Sequence, residues 1–251
     1  MPIGSTPGAA SYKGGVNAPA IRVWLLLAVA LGPLALGLIA CGPEEAASSE
    51  SGDARGAGAP AVAELEIPDD APRVAFLGDS LAAGRGLAAD EAFPAVLQRM
   101  FVERGRPFRL VNAGLSGDKT GGGLARLDWL LRQKPDVVVI ELGANDGLRG
   151  DPVATIEANL VELITRVRAA GATPLLLGMR MPPSHGGEYV RAFDAVFPRV
   201  AERTGVAFVP FLLEGVAGVR ELNLADGIHP TAEGHRRIAA NLEEALAGVL
   251  P

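Results

Sequence analysis

The sequence predicts an α/β domain in which helices cover both faces of a parallel β-sheet. Five short apolar runs predict strands, and helical patterns lie between them. The clearest run, VVVIEL at 137–142, begins with four β-branched residues and is typical of a strand buried on both faces. Regular alternation of strands and helices favours parallel strands joined by helical crossovers.

The elements follow one another in a single series. The predicted strands are 73–77, 108–112, 137–142, 173–178 and 207–209. The predicted helices lie at about 93–104, 122–133, 152–170, 188–204 and 231–249. Pro152 near the start of the third helix and Gly171 just after its end occupy the positions that these residues favour. We find no internal repeat, so residues 69–251 are predicted to form one domain.

Composition excludes several classes of function. The chain has 251 residues, 23 of them basic and 29 acidic; counted from Cys41 onward, 21 basic residues remain against 29 acidic ones. Such a surface repels phosphate backbones, so we expect no nucleic-acid partner. One cysteine excludes an internal disulfide and a cysteine-cluster metal site.

The N-terminal region has the pattern of an export signal. Residues 23–39 are uncharged and apolar, and Lys13 and Arg22 precede them. The stretch ends in LIAC at 38–41, which resembles the lipobox of bacterial lipoproteins. That resemblance implies that residues 1–40 are a signal peptide and that Cys41 is acylated. The alternatives are an uncleaved membrane anchor and a chance cysteine; seventeen residues are marginal for spanning about 30 Å of hydrocarbon.

Residues 41–68 are predicted to be the lipidated cysteine and a flexible tether. The segment is rich in Gly, Ala, Ser, Pro and acidic residues and lacks the apolar periodicity needed for a core. The expected location is the bacterial cell envelope, on the periplasmic side of a membrane or on the outer surface.

Five polar or small residues are predicted to meet at one edge of the sheet. Ser80 follows the first strand, Gly117 the second and Asn145 the third, whereas Asp226 and His229 follow the fifth. In parallel sheets the functional crevice lies beyond the carboxyl ends of the strands. Taken alone, Ser80 has the competing interpretation of a helix cap.

Four motifs resemble those of the SGNH (GDSL-type) hydrolases. They are GDSL at 78–81, NAGLSGDKTGGGLARL at 112–127, ELGANDGLRG at 141–150 and DGIHP at 226–230. The resemblance implies a three-layer α/β/α, flavodoxin-like fold. The motifs are most similar to the bacterial acyl-CoA thioesterase, arylesterase and lysophospholipase subgroup. Arg85 and the loop at 180–190 depart from that subgroup, so acyl length and ester versus thioester preference stay open.

Residue chemistry agrees with that resemblance. A serine hydroxyl needs an adjacent base, for which His229 is the candidate, and Asp226 can hold the imidazole in one tautomer. By resemblance, the oxyanion donors are the backbone N–H groups of Ser80 and Gly117 and the side-chain amide of Asn145. The competing interpretations are a surface His-Pro turn, a turn glycine and an Asx turn.

Other polar residues are expected to support the structure. Asp79, Asp118 and Asp146 are predicted to hold loops by hydrogen bonds, and His235 is predicted to be packed or solvated on the last helix. His185 is expected in a surface loop, with the border of an acyl pocket as the alternative. Three histidines without ligand spacing predict neither a catalytic metal nor a cofactor.

These observations predict a serine esterase that acts on lysophospholipids, acyl thioesters or aryl esters. The alternatives are a carbohydrate O-acetylesterase on the same fold and a lipoprotein that binds lipid or a partner protein without catalysis. The sequence makes no prediction about the oligomeric state.

Overall fold

A computed structural model of the protein describes residues 65–251. The predicted signal peptide, Cys41 and residues 42–64 of the predicted tether lie outside the described residues. Residues 65–68, the end of that tether, have no regular secondary structure. Within 65–251, no helix is both long and apolar enough to cross a membrane.

One sheet of parallel strands forms the centre of the described region. The strands are β1 Arg73–Gly78, β2 Arg109–Gly114, β3 Val137–Glu141, β4 Thr173–Leu177 and β5 Ala207–Val209. They are hydrogen-bonded in the order β2-β1-β3-β4-β5, which is the flavodoxin-like order. Every residue of β3 is buried, as its continuous apolar run predicts for a strand covered on both faces. The predicted fold class is confirmed.

Seven α-helices surround the sheet in the described region. They are α1 Phe93–Glu103, α2 Thr120–Leu131, α3 Ala144–Leu148, α4 Val153–Ala169, α5 Gly187–Asp194, α6 Val196–Thr204 and α7 Ala232–Ala247. Short 3₁₀ turns occur at Ala89–Glu91, Pro183–His185 and Arg220–Leu222.

The order of the strands decides which helices share a face. From β1 the chain moves to one side for β2, and it then moves to the other side for β3, β4 and β5. Because parallel crossovers are right-handed, this reversal puts α1 on one face and α2, α4 and α6 on the other. The packing agrees, since α1 lies against α7 while α4 packs on both α2 and α6.

Two helix predictions need correction. The predicted helix at 188–204 is two helices, α5 and α6, separated at Ala195. Pro198 is the third residue of α6; it has no N–H to donate to the preceding turn and its ring crowds that turn, so α5 cannot continue into α6 without a break. The short helix α3 was not predicted from the sequence.

A third correction concerns the start of α2. The helix begins at Thr120, two residues before the prediction, so Gly121 also lies inside it. Asp146, a distant residue, accepts hydrogen bonds from the backbone and hydroxyl of Thr120. This long-range contact satisfies the start of the helix, and local sequence patterns cannot reveal it.

Candidate active site

The carboxyl edge of the sheet carries all five predicted site residues. Ser80 lies two residues after β1, Gly117 three residues after β2, and Asn145 in α3, which follows β3. Asp226 and His229 lie between β5 and α7. The strand order reverses at β1 and β3, so Ser80 and Asn145 border the crevice where such sheets bind ligands.

Ser80, His229 and Asp226 form one continuous chain of hydrogen bonds. The Ser80 Oγ lies 2.9 Å from His229 Nε2, and His229 Nδ1 lies 2.7 Å from Asp226 Oδ2. An ionised carboxylate can only accept, so Nδ1 carries the proton that it donates to Asp226. Nε2 is then free to accept the proton of the Ser80 hydroxyl. This is the geometry required to activate a serine nucleophile.

Asp226 is held in its ionised form by three hydrogen bonds. Its carboxylate accepts from the backbone N–H of His229 at 3.0 Å, from the backbone N–H of Ile228 at 2.9 Å and from the His229 ring. These donors lower the pKa of Asp226 well below its usual value. The orienting acid therefore stays charged throughout the neutral range.

A short closed loop positions both Asp226 and His229. An antiparallel bridge joins Asn223 to Pro230 at the base of the loop, and Leu224 N–H donates to the His229 carbonyl at 2.7 Å. The chain reverses direction inside this bridge. The imidazole is thus attached to a segment whose two ends are hydrogen-bonded to each other.

Ser80 lies in a run of turns and not at the start of a regular helix. The turns extend from Ser80 to Gly86, with Arg85 N–H donating to the Ser80 carbonyl at 3.0 Å. The local side-chain cap is Asp79, whose Oδ1 accepts from Leu81 N–H at 2.9 Å. The Ser80 hydroxyl is bonded to His229 instead. These contacts disfavour the interpretation of Ser80 as a helix cap.

Asn145 is oriented by Asp79. The Asn145 Nδ2 donates to Asp79 Oδ2 at 2.8 Å. Because Nδ2 carries two hydrogens, one remains available for a ligand. Asp79 thus connects the turn that carries Ser80 to the helix that carries Asn145, which is the supporting contact expected from the sequence.

Gly117 lies in a loop that is held by hydrogen bonds from Arg126. The φ of Gly117 is +81°, a left-handed conformation that favours glycine. Next to it, Asp118 accepts from Arg126 Nε at 2.7 Å, and the same guanidinium donates to the carbonyls of Ala113 and Gly78. One side chain therefore ties this loop to the ends of β1 and β2.

Asp146 anchors α3, the helix that carries Asn145. Its carboxylate accepts from Thr120 N–H at 3.0 Å and from the Thr120 hydroxyl at 2.5 Å. Asp146 is buried and so is Thr120. Asp118 supports a loop, as the sequence predicted, whereas Asp146 supports the structure by joining α3 to the first residue of α2.

Two charged residues of these motifs had no role assigned from the sequence. Arg126 lies in GLARL, and Glu141 ends β3 in ELGAND, fully buried. Glu141 Oε2 accepts from Asp79 N–H at 2.9 Å and from Ala82 N–H at 3.3 Å. A lone carboxyl at the end of a fully apolar strand was the available signal, because such groups are almost never buried without a partner.

The other two histidines have different surroundings. His235 is buried, its ring stacks on Phe93, and its Nδ1 accepts from Phe93 N–H at 3.0 Å. Burial lowers the pKa of His235 to about 4. His185 lies at the surface and lines an open cleft of about 500 Å³ with Glu188 and Tyr189. None of the five predicted site residues lines that cleft.

Three exposed apolar side chains lie close in the chain to site residues. Leu115 lies two residues before Gly117, Leu148 three residues after Asn145, and Ile228 next to His229; their exposed fractions are 55%, 37% and 51%. Over the described part of the chain, no group of three or more His, Cys, Asp or Glu side chains is arranged to hold a metal ion.

Comparison with known proteins identifies the family. Residues 76–237 match the GDSL-like Lipase/Acylhydrolase family, a span that contains all five predicted site residues. The chain belongs to this family.

Close relatives carry names of ester hydrolases. The chain is 45% identical over 175 residues to "Esterase TesA" of Pseudomonas aeruginosa. The aligned region covers 69% of this chain and 87% of the relative. It is 40% identical to "Arylesterase" of Vibrio mimicus, with 69% and 88% covered. It is 41% identical to "Thioesterase 1/protease 1/lysophospholipase L1" of Escherichia coli K12, with 65% and 78% covered.

A solved structure supports the same assignment. The crystal structure of TesA matches with a TM-score of 0.69 and 44% identity, covering 71% of this chain and 99% of that chain. Family, fold and relatives agree with the hydrolase predicted from the sequence motifs. The protein is a serine hydrolase that acts on ester bonds.

Proposed function

We propose that Ser80 is the nucleophile, His229 its general base and Asp226 the acid that orients and stabilises the imidazolium. The observation that carries the proposal is the unbroken chain from Ser80 Oγ through His229 to Asp226, at 2.9 and 2.7 Å. As Ser80 Oγ forms a bond to the ester carbonyl carbon, its proton passes to His229 Nε2. The imidazolium then gives that proton to the leaving oxygen or sulfur.

The acyl group remains on Ser80 until water removes it. His229, neutral again, takes a proton from a water molecule whose oxygen attacks the acyl carbon, and the proton returns to Ser80 as the acid leaves. In both steps the negative oxygen is stabilised by the backbone N–H of Ser80, the backbone N–H of Gly117 and Asn145 Nδ2. The contact of Asn145 with Asp79 supports this role, because it leaves one amide hydrogen free.

The proposed substrates are fatty-acyl esters and thioesters, including lysophospholipids, and aryl esters. Two observations support this class. The relatives are named esterase, arylesterase and thioesterase/lysophospholipase. Leu115, Leu148 and Ile228 are exposed apolar residues close in the chain to the proposed oxyanion donors and base, and apolar side chains suit acyl chains better than the hydroxyls of a carbohydrate.

The nucleophile is tested by covalent labelling. A fluorophosphonate should label wild type once, at Ser80, and Ser80→Ala should lose both labelling and turnover. Ser184→Ala is the matched control, since Ser184 lies in a surface 3₁₀ turn and should keep both. Label on another residue, or substantial esterase activity in a folded Ser80→Ala variant, would remove Ser80 from the mechanism.

The substrate class is tested with p-nitrophenyl esters from acetyl to palmitoyl, beside lysophosphatidylcholine and an acyl-CoA. We expect kcat/KM to rise with chain length. Leu148→Ser should lower kcat/KM for long chains about fivefold, equivalent to about 1 kcal/mol of apolar contact. Trp129→Ser, which removes an exposed apolar side chain from α2, is the control. Preference for acetyl groups on an oligosaccharide would instead favour the O-acetylesterase.

We also propose that the enzyme is anchored to the bacterial envelope by acyl chains on Cys41. The motif LIAC at 38–41 and the preceding apolar stretch support this proposal. Wild type should partition into detergent, and Cys41→Ser should not be processed. Mass spectrometry that finds unmodified Cys41 in membrane-fraction protein would contradict the anchor. At least two chains are expected, because one gives only marginal binding.

A further inference from the structure

Two carboxyl groups lie buried directly under the nucleophile turn. Asp79 is 1% exposed and Glu141 is fully buried. Glu141 Oε2 accepts from the backbone N–H of Asp79 at 2.9 Å, and strand pairing sets Glu141 beside Gly78. A Cβ on Gly78 would lie 2.5 Å from Glu141 Oε2, so glycine at this position makes room for the carboxyl. The serine mechanism described above uses Asp79 as a support and leaves Glu141 unused.

The donors around the pair are distributed unequally. Both oxygens of Asp79 accept hydrogen bonds, Oδ1 from Leu81 N–H and Oδ2 from Asn145 Nδ2. Glu141 Oε2 accepts from two backbone N–H groups, those of Asp79 and Ala82. Among the described residues no group donates to Glu141 Oε1, although that oxygen is buried. An ionised Oε1 there would be costly, whereas an O–H on Oε1 can donate to Asp79.

We propose that Glu141 is a positioning residue: as a neutral carboxylic acid it donates its proton to the Asp79 carboxylate and so holds Asp79 against Asn145. The proton stays on Glu141 through the reaction, so no bond to substrate involves this residue. The inference rests on the proposed role of Asn145 as an oxyanion donor. It adds that the orientation of Asn145 depends on the proton of Glu141, which acts on Asn145 through Asp79.

Burial and charge both favour this protonation state. Burial raises the pKa of Glu141 well above its usual value, and the negative charge of Asp79 raises it further. Burial likewise raises the pKa of Asp79 to about 6, while its hydrogen bonds from Leu81 and Glu141 act in the opposite direction. The other charges that act on Asp79 are His229, which lowers its pKa, and Asp118, which raises it. The Asp118 carboxylate is paired with Arg126, which also contacts the Gly78 carbonyl.

Glu141→Gln tests the proposal because an amide matches the neutral acid. Its oxygen can accept from the two N–H groups, and its NH₂ can donate to Asp79. We expect kcat at neutral pH within about threefold of wild type. As alkaline pH removes the proton, wild type should lose kcat with little change in KM. Glu141→Gln should keep kcat over the same range, since it has no proton to lose. Glu162→Gln, an exposed change on α4, should retain the wild-type profile.

Two measurements test the stored proton independently of catalysis. In wild type, Glu141 adds a loss of stability as pH rises above about 4.5, because the folded state keeps a proton that the unfolded chain releases. Glu141→Gln should therefore gain stability relative to wild type at higher pH. Infrared spectra in D₂O at neutral pH should show the C=O stretch of a protonated carboxyl in wild type and not in Glu141→Gln.

The outcomes separate the two proposals. An unchanged alkaline fall of kcat in Glu141→Gln, absence of the protonated carboxyl band, or a loss of more than about thirtyfold in kcat at neutral pH would overturn the role of Glu141. Those results would leave the Ser80 assignment intact, because the labelling experiment tests that assignment alone. Failure of Ser80 labelling would overturn the mechanism while the infrared and stability results still reported the protonation of Glu141.

Discussion

Two acids in contact with the catalytic groups have opposite surroundings. Asp226 has a side chain that is 44% exposed, and its hydrogen bonds lower its pKa. Asp79, the residue before Ser80, is 1% exposed and has a raised pKa although it also accepts two hydrogen bonds at 2.8 and 2.9 Å. Hydrogen bonds alone therefore do not decide the charge of these carboxyls.

The difference shows which physical effect dominates at each place. Near solvent, a carboxylate keeps its hydration, and each donor adds to the stability of the charged form. Under the nucleophile turn, loss of hydration and the neighbouring Glu141 outweigh the donors. The exposed side of the site thus supplies a fixed negative charge for the imidazolium, and the buried side supplies a fixed geometry for the amide.

Of the two acids, the more exposed one is expected to have the larger effect on kcat, and Asp226→Asn tests it. The amide oxygen can still accept from the backbone, but an NH₂ group would face His229 Nδ1 and favour the tautomer in which Nε2 cannot accept from Ser80. We expect kcat to fall about 10⁴-fold with folding intact. Asp128→Asn, at an exposed ion pair with Arg166, is the control. A loss below about tenfold would show that the charge of Asp226 is dispensable.

A smaller loss of kcat is expected from Asn145→Ala, which removes the amide that the buried Asp79 orients. Removal of one oxyanion donor should lower kcat about 10²–10³-fold and leave KM nearly unchanged. Steady-state kinetics on one ester measure both constants. Asn241→Ala, which removes an exposed amide bonded to the Glu214 carbonyl, should have no effect. A rise in KM at constant kcat would assign Asn145 to ground-state binding instead.

The smallest effect is expected on stability, from the buried histidine His235. The unfolded chain binds a proton at this residue below about pH 6.5, whereas the folded state binds it only near pH 4. Wild type should therefore lose up to about 1.4 kcal/mol of unfolding free energy per pH unit as pH falls through this window.

Urea unfolding of His235→Gln between pH 7 and 4 measures this contribution. Because Gln does not titrate, the variant should show a shallower acid loss than wild type. His185→Gln, a change at a partly exposed histidine in a surface 3₁₀ turn, should follow the wild-type curve. Equal slopes in wild type and His235→Gln would show that His235 does not couple folding to pH.

Much of the fold could be predicted because its signals are local. The apolar run of β3 and the alternation of strands and helices predicted the parallel sheet, and the motifs at strand ends placed Ser80, Asn145, Asp226 and His229 at one edge. The break between α5 and α6 was missed although Pro198 was visible, since the surrounding helical pattern continued on both sides.

The sequence by itself determined the order of the strands, the helical crossovers between them and the residue types of the site. The periodicity of apolar side chains, the motifs at strand ends and the absence of excess positive charge can all be read from the linear sequence. The tertiary structure alone decided which atoms meet: Ser80 with His229 across 149 positions, Thr120 with Asp146, and Glu141 with Asp79. Burial and hydrogen-bond geometry exist only in the folded chain, so the proton on Glu141 and the lowered pKa of Asp226 follow from packing and not from residue identity.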